Sequence, residues 1–511
     1  MEEQVEKIRK SLSDSTLRKF NERVEEQADF LKKAIRNGEL ENQDFTVGLE
    51  LEVYAADGEG RINRISGEKL EQGPANPELG LHNAEINTEP ELFKAEGVEK
   101  QREKVRKEFE EMNQHLEEQG FQLVFDSMWT GHGDSIDYLT QHEELDGFVF
   151  PENMKSATRY HAIDNAVLER LGGDIELDLP GTSVEFPTFL FECLATSIQP
   201  HLQVPDTEKF PYYFNAASRT AAPLLMLSTN SPFLPPELYS EDLEPEKLVE
   251  KTFHELRIPV FEQACNEGEK FGEKKVRFPE DIEDLEEAVE KIAEDQIYAP
   301  ALREWEKDGK ESWEDEFWEI RYKRGTFWRW VRPVFGAEPV ENGNDEKAAR
   351  IEYRPLPTQP GINDIVSLQV VTAGLLHGLV EKNHPITELE WSSAKENFYS
   401  AVKEGLNTEI TWINEEGEET SDKKEIFEEI FRYAEKGLEE RGFPEEKIEE
   451  YLDPIRKRWE QENTPSNWKK DQVRKNLENG EDFSEAVQKM QSQYIRNSQE
   501  HETFADWPQE D

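Results

Sequence analysis

Only two cysteines, Cys193 and Cys265, occur in 511 residues. That is too few for a disulfide scaffold, and their spacing fits no zinc-binding pattern. No apolar run approaches the roughly 20 residues of a membrane span. The N-terminus, MEEQVEKIRK, lacks the basic-then-apolar order of a secretory signal. A cytoplasmic protein with no membrane partner is the expectation. Bases are scarce as well: 60 Lys and Arg stand against 113 Asp and Glu, a formal net charge of -53. Such a field repels a nucleic-acid backbone, so no nucleic-acid partner is expected either. The familiar nucleotide and hydrolase signatures are missing too. No G-x-x-x-x-G-K-[ST] loop, G-x-G-x-x-G fingerprint or G-x-S-x-G elbow occurs. A bound nucleotide would have to be held by metal, arginines and backbone on a sheet.

The acids are spread along the chain rather than gathered in a tail. In dilute salt they strain the compact state by self-repulsion. At molar salt the Debye length falls to roughly 3 Å and the strain fades. The composition reads as adaptation to a salty cytoplasm, a halophilic protein, against the blander alternative of a merely acidic mesophilic one. Aromatics at 10% speak against a wholly disordered chain.

Residues 1–40 read as polar helix, with Val5, Ile8, Leu12, Phe20, Val24, Phe30 and Leu31 on its apolar side. Strands are expected at 44–57, 82–89, 121–128, 195–204, 326–335 and 349–357. Helices are expected at 96–118, 211–228 and 363–382, the last two strongly apolar. Residues 236–310 look like an acidic helical insertion. Beyond about 385 the chain turns into polar, acidic helices such as 423–442, with loose final residues. The domain reading is an N-terminal helical segment (1–40), a core (41–384) carrying the insertion near 236–310, and an acidic helical extension (385–511).

Side chains alternate along a strand. In VGLELEVY, Val47, Leu49, Leu51 and Val53 therefore take one face while Glu50 and Glu52 take the other, their carboxylates roughly 6–7 Å apart. Like charges so placed repel unless a cation neutralises them, and oxygen ligands suit Mg²⁺ or Mn²⁺. A solvated polar face is the competing explanation in so acidic a chain. Glu78 and Glu85 add carboxylates at the second strand, and Gln199 and His201 share a face of the 195–204 strand. Near the end, Glu352 and Arg354 share a strand face, as do Trp328, Trp330 and Arg332. An arginine beside a metal-binding glutamate suits phosphoryl transfer, the planar cation taking phosphate oxygens near the metal. A cross-strand salt bridge would explain either arginine equally well.

In this order, the pieces resemble the type-2 glutamate–cysteine ligases, also called carboxylate–amine ligases. The resemblance rests on Gly48-Leu49-Glu50-Leu51-Glu52, on Glu78-Leu79 through Glu85 to Asn87-Thr88, and on Ser197 to Gln203. Its most specific match is APLLMLSTNSPF, from Ala222 to Phe233. Val331-Arg332-Pro333 and Ile351-Glu352-Tyr353-Arg354 close it, and Gly131-His132 matches loosely. It covers roughly 44–382, with Pro200 as a departure inside a signature strand. The resemblance implies an α+β, glutamine-synthetase-like core: a curved antiparallel sheet of about six strands with helices outside. It implies metal ligation by Glu50, Glu52, Glu78, Glu85, His201 and Glu352. Arg354 and Arg332 would contact phosphates and take part in catalysis, with Gln199 beside them at the cofactor. The implied cofactors are ATP and Mg²⁺ or Mn²⁺. The implied partners are small molecules: glutamate or a similar carboxylate, and an amine such as cysteine, joined through an acyl phosphate. Two other readings stand beside it, a phosphagen-kinase-like phosphotransferase on the same core and a non-catalytic acidic scaffold.

Overall fold

The computed structural model describes residues 2–41, 44–62, 73–131, 133, 135–267, 274–306, 309–338, 340 and 347–508. The expected His132 lies outside them. Among the described residues the main sheet has eight strands. Its spine runs Val331–Phe335, Ala349–Tyr353, Ile198–Gln203, Thr46–Ala56, Asn83–Asn87 and Asn76–Pro77, and two short strands, Glu91–Leu92 and Gln122–Val124, add to the ends of Thr46–Ala56. Every pairing is antiparallel, as the α+β expectation required.

Alternation builds the central strand. Val47, Leu49, Leu51 and Val53 are buried behind the sheet, while Glu50 and Glu52 are half-buried on the face that carries the site. Pro200 costs nothing in the neighbouring strand. It lies opposite Leu49, whose N–H goes to Thr88 Oγ1 at 2.9 Å and whose carbonyl accepts from Thr88 N at 2.9 Å, so no ladder bond is lost across that pair. The apolar helices Phe210–Ser228 and Ile362–Glu381 pack together in the core. The second is long and apolar enough to cross a membrane, contrary to the estimate from run length. Its most apolar stretch is nonetheless 94% buried inside the protein.

Several boundaries moved. The expected N-terminal helix is two, Glu2–Ser11 and Asp14–Arg36, because Ser13 turns extended and its side chain caps Thr16 N. The strand expected from 326 begins only at Val331. Residues before it form a loop pinned where Trp330 N meets Arg277 O, which sends the Trp330 indole to Glu262 (2.8 Å) rather than alongside Arg332. Gly131 is required by Trp129. A Cβ there would fall 1.7 Å from that indole ring, which folds back to give its N–H to Gly60 O.

Helices beyond 385 reach deep into the rest of the chain. Lys469 Nζ, fully buried, meets Asp126 and donates to Asn230 O at 2.7 Å. Gln491 donates to Tyr54 OH and to Asp126 near the end of the central strand. Arg458 pairs with Asp364 at 2.7 Å. Phe504 and Trp507, expected among loose final residues, are buried.

Candidate active site

The register brings the expected residues into rows across one sheet face. His201 stands opposite Glu352, and Glu352 opposite Arg332. In the next row Gln199 faces Glu50, which faces Asn87. Glu52 faces Glu85 in the third. Strand alternation alone produces this grid.

Glu352 is the most heavily engaged carboxylate. Arg332 grips both its oxygens at 2.7 Å, Arg354 Nη1 reaches Oε1 at 2.7 Å, and Arg324 Nη1 reaches Oε2 at 3.2 Å. Burial by itself would raise its pKa. Arg332, Arg354, His201 and Arg324 outweigh burial and hold it well below the carboxylate range. Burial and the like charge of Arg332 press Arg324 down to about 9. Arg354 also donates to Gln199 Oε1, whose amide in turn donates to Glu52 Oε1 at 2.7 Å. Ser197 fixes the other Glu52 oxygen through its N–H (2.7 Å) and hydroxyl (2.9 Å).

Glu50, His201 and Glu352 bring one ligand atom each to within 4.8 Å of one another. His201 Nε2 lies 3.1 Å from Glu50 Oε1, yet neither ring nitrogen has an aligned hydrogen bond. Two buried orphan nitrogens beside two carboxylates are a donor set that fits a divalent cation. The second group, Glu52, Glu78 and Glu85, is short of positive charge. Burial, then Glu78, pushes Glu52 up to about 7. Burial raises Glu78, and burial with Glu78, Glu50 and Glu52 drives Glu85 well up. Acids that resist ionising because they crowd one another are what a bound cation relieves.

Two cavities meet at Glu50. The outer, about 420 Å³, is lined by Gly48, Asn87, Thr88, His201, Arg321 and Arg350 among others. The inner, about 180 Å³, holds Glu52, Glu78, Glu85, Gln199, Arg332 and Arg354. All nine expected residues therefore border these cavities or, in the case of Glu352, sit between their arginines and His201. Sequence reading missed Arg324, Arg350, Arg159 and Glu192. Arg350 was within reach, since it shares strand parity with Glu352 and Arg354. Arg324 ends a helix (Trp318–Arg324) and carries no periodic signal. The APLLMLSTNSPF match is architectural: Asn230 bonds Thr358 O and Tyr494 OH, each at 2.8 Å, and Ser231 bonds Glu255 at 2.7 Å.

Residues 46–500 match the profile of glutamate–cysteine ligase family 2. The chain belongs to that family. The match runs past the region around 382 where the motif resemblance stopped, into the helices that brace the central strand. No curated protein matches the sequence. Among solved structures, the fold is similar to the glutamate–cysteine ligase of Francisella tularensis, solved in complex with AMP. Identity is 11%, with 91% of this chain and 90% of that one covered and a TM-score of 0.50. A bifunctional glutathione synthetase from Pasteurella multocida also matches, at 14% identity and a TM-score of 0.48. There 89% of this family member is covered and 52% of the synthetase.

Proposed function

We propose that this ligase-family member is an ATP-dependent carboxylate–amine ligase of the glutamate–cysteine kind, working with divalent metal in a salty cytoplasm. The observation that carries the reading is the row Arg332–Glu352–His201, flanked by Glu50 and Arg354 and set between two cavities. The AMP held by the Francisella tularensis enzyme supports a nucleotide in this one. The outer cavity, with Arg321 and Arg350, suits ATP, and the inner suits the donor carboxylate and the amine.

Glu50, His201 and Glu352 would hold one Mg²⁺ or Mn²⁺, and Glu52, Glu78 and Glu85 a second. When bound, such ions neutralise phosphate oxygens as Lewis acids. Arg332 and Arg354 orient the transferring phosphoryl group and take up the charge that spreads over it as the donor carboxylate attacks the γ-phosphorus and ADP leaves. Gln199, tied to Arg354 and Glu52, keeps guanidinium and carboxylate in register. An amine then attacks the acyl carbon and phosphate departs.

The test is release of ADP and phosphate in molar KCl with ATP, Mg²⁺ and L-glutamate, with and without L-cysteine or another amine. Amide product formed only with the amine supports the ligase. ADP formed as fast without any amine points to simple phosphotransfer.

A further inference from the structure

Two charged groups of the inner cavity take no part in the network around Glu352. Glu192 lines it beside Phe189 and Cys265, and its carboxyl has no hydrogen-bond or ion-pair partner among the described residues. Burial, then Glu52 and Glu78, raises its pKa well above the usual range. Arg159 lines the same cavity. Its Nη2 donates to Gly325 O at 2.5 Å, its guanidinium stands 5.2 Å from the centre of the Tyr322 ring, and its buried Nε has no partner. No carboxylate pairs with it among the described residues, although acids outnumber bases 113 to 60 in this chain. The two do not pair with each other.

Their positions are fixed together. Arg159 stands in the first turn of the helix Thr158–Leu171. Asp164 of that helix accepts Phe189 N at 2.8 Å and Thr188 Oγ1 at 2.9 Å, and so anchors the 3-10 turn Phe189–Leu194 that carries Glu192. The sequence thus places an acid and a base in one small cavity and leaves neither with a counter-charge among the described residues. Unpartnered charges so enclosed are costly unless a ligand completes them.

We propose that Arg159 and Glu192 are the two poles of the acceptor site, taking the carboxylate and the ammonium of a small α-amino acid whose side chain lies among Phe189, Phe261 and Trp328. This rests on the ligase reading above. The acceptor is preferred to the donor because its reacting atom is an ammonium nitrogen, which Glu192 attracts, whereas the donor presents an extra carboxylate, which Glu192 repels. Because the reacting end of the donor carboxylate shares this cavity of about 180 Å³, only a compact amino acid fits as acceptor, and the three rings favour a cationic nitrogen near an apolar side chain.

The experiment is calorimetric titration of the full chain in molar KCl, loaded with Mg²⁺, a non-hydrolysable ATP analogue and L-glutamate. The probes are L-cysteine, L-alanine and L-2-aminobutyrate, then cysteamine, which lacks the carboxylate, and 3-mercaptopropionate, which lacks the ammonium. At least one zwitterion should bind about tenfold or more tightly than either one-pole analogue, the scale of a lost charge-assisted contact. Glu192→Gln should stop distinguishing L-cysteine from 3-mercaptopropionate, and Arg159→Gln should stop distinguishing it from cysteamine. Glu192→Asp and Arg159→Lys should keep part of each preference, which guards against a simple folding defect. If every zwitterion fails to bind a protein that holds the nucleotide, or if the preferences survive both charge removals, the proposal is overturned. A rise in the Mg²⁺ requirement of Glu192→Gln also overturns it, by making Glu192 a metal ligand. Loss of nucleotide binding in the unaltered protein instead brings down the ligase reading itself.

Discussion

Arg332 holds Glu352 by both carboxylate oxygens, Nε to Oε2 and Nη2 to Oε1, each at 2.7 Å. With Arg354 and Arg324 on the same carboxylate, three guanidinium groups converge on one acid that is 1% exposed. Under the ligase reading, ion pairing and phosphoryl transfer draw on the same contacts at this position. Glu352→Gln removes a charge with little change of volume and leaves three buried cations under-compensated. Turnover should fall by about two to three orders of magnitude, as when a transition-state electrostatic group is lost, and the melting temperature should fall with it. Parallel measurement of turnover and thermal unfolding checks both. A variant that melts lower but turns over normally per folded molecule would make the cluster purely structural.

The crowded acids tie stability to pH and metal. Glu52, at about 7, and the raised Glu78 and Glu85 bind protons in the folded state that they have lost in the unfolded one. Folded pKa values above the ordinary value mean that their contribution is fully present below about pH 4.5 and is lost as pH rises through about 7. A Mg²⁺ held by these acids, as proposed, would take the place of those protons. The rise in melting temperature on adding Mg²⁺ should consequently be larger at pH 8 than at pH 5.5, and Glu52→Gln should shrink the difference. Equal rises at the two pH values would separate this cluster from metal binding.

The sheet face was readable because a strand's period of two leaves little freedom. Once Glu50 and Glu52 were opposed to Val47, Leu49 and Leu51, the facing side of the sheet followed, and Gln199 and His201 fell into register with it. Residues supplied by turns and helix ends were not readable. Glu192 sits in a 3-10 turn, Arg159 in a first helical turn and Arg324 in a last one, where no periodicity marks which way a side chain goes. The same limit explains the misplaced start of the Val331 strand. Its aromatic neighbours have strong strand propensity, but tertiary contacts from Arg277 and Glu262 hold them in a loop. The helices beyond 385 were expected, but not how tightly they join the core, because the acidic composition masks apolar inward residues such as Phe427, Leu452 and Met490, and the ties to the core run through polar residues, Arg458, Lys469 and Gln491.

With a net charge of -53 spread over the chain, folding gathers like charge. Screening should raise the melting temperature steadily from dilute to molar KCl, with activity following. Thermal scans across that range, at constant Mg²⁺, would show it. A transition that does not move between the two extremes would remove the halophilic reading.

Lys469 and Asp126 form a fully buried pair that ties the late helices to the end of the central strand, where Tyr54 OH also meets Asp126. Lys469→Met strands a carboxylate in the interior and should cost about 3–5 kcal/mol. The double change with Asp126→Asn should recover part of the loss. Denaturant unfolding of the two variants measures this. By the same contacts, a chain cut after 384 should not fold to a nucleotide-binding form. A truncated protein that folds and binds nucleotide would show that the extension is dispensable for the core.

Arg354 separates positive charge from its geometry. It spans Glu352 and Gln199 from a single nitrogen and links through Gln199 to Glu52, so one guanidinium connects both acidic groups. Arg354→Lys keeps the charge but has a single ammonium in place of a planar fork, and it cannot hold both partners in the same plane. Charge neutralisation of Glu352 then persists through Arg332 and Arg324, so the melting temperature should stay near that of the unaltered protein. Turnover should fall by about tenfold to a hundredfold, and the loss should lie mainly in kcat, because the interaction is strongest as charge spreads over the transferring phosphoryl group. Gln199→Glu offers the converse change: it sets a new negative charge between Arg354 and Glu52 and should raise the Mg²⁺ needed for half-maximal rate, since Arg354 is drawn to the new acid and Glu52 is pushed from ionisation. If Arg354→Lys instead raises KM for ATP alone with kcat unchanged, Arg354 is a ground-state binding group and the phosphoryl-transfer role passes to Arg332.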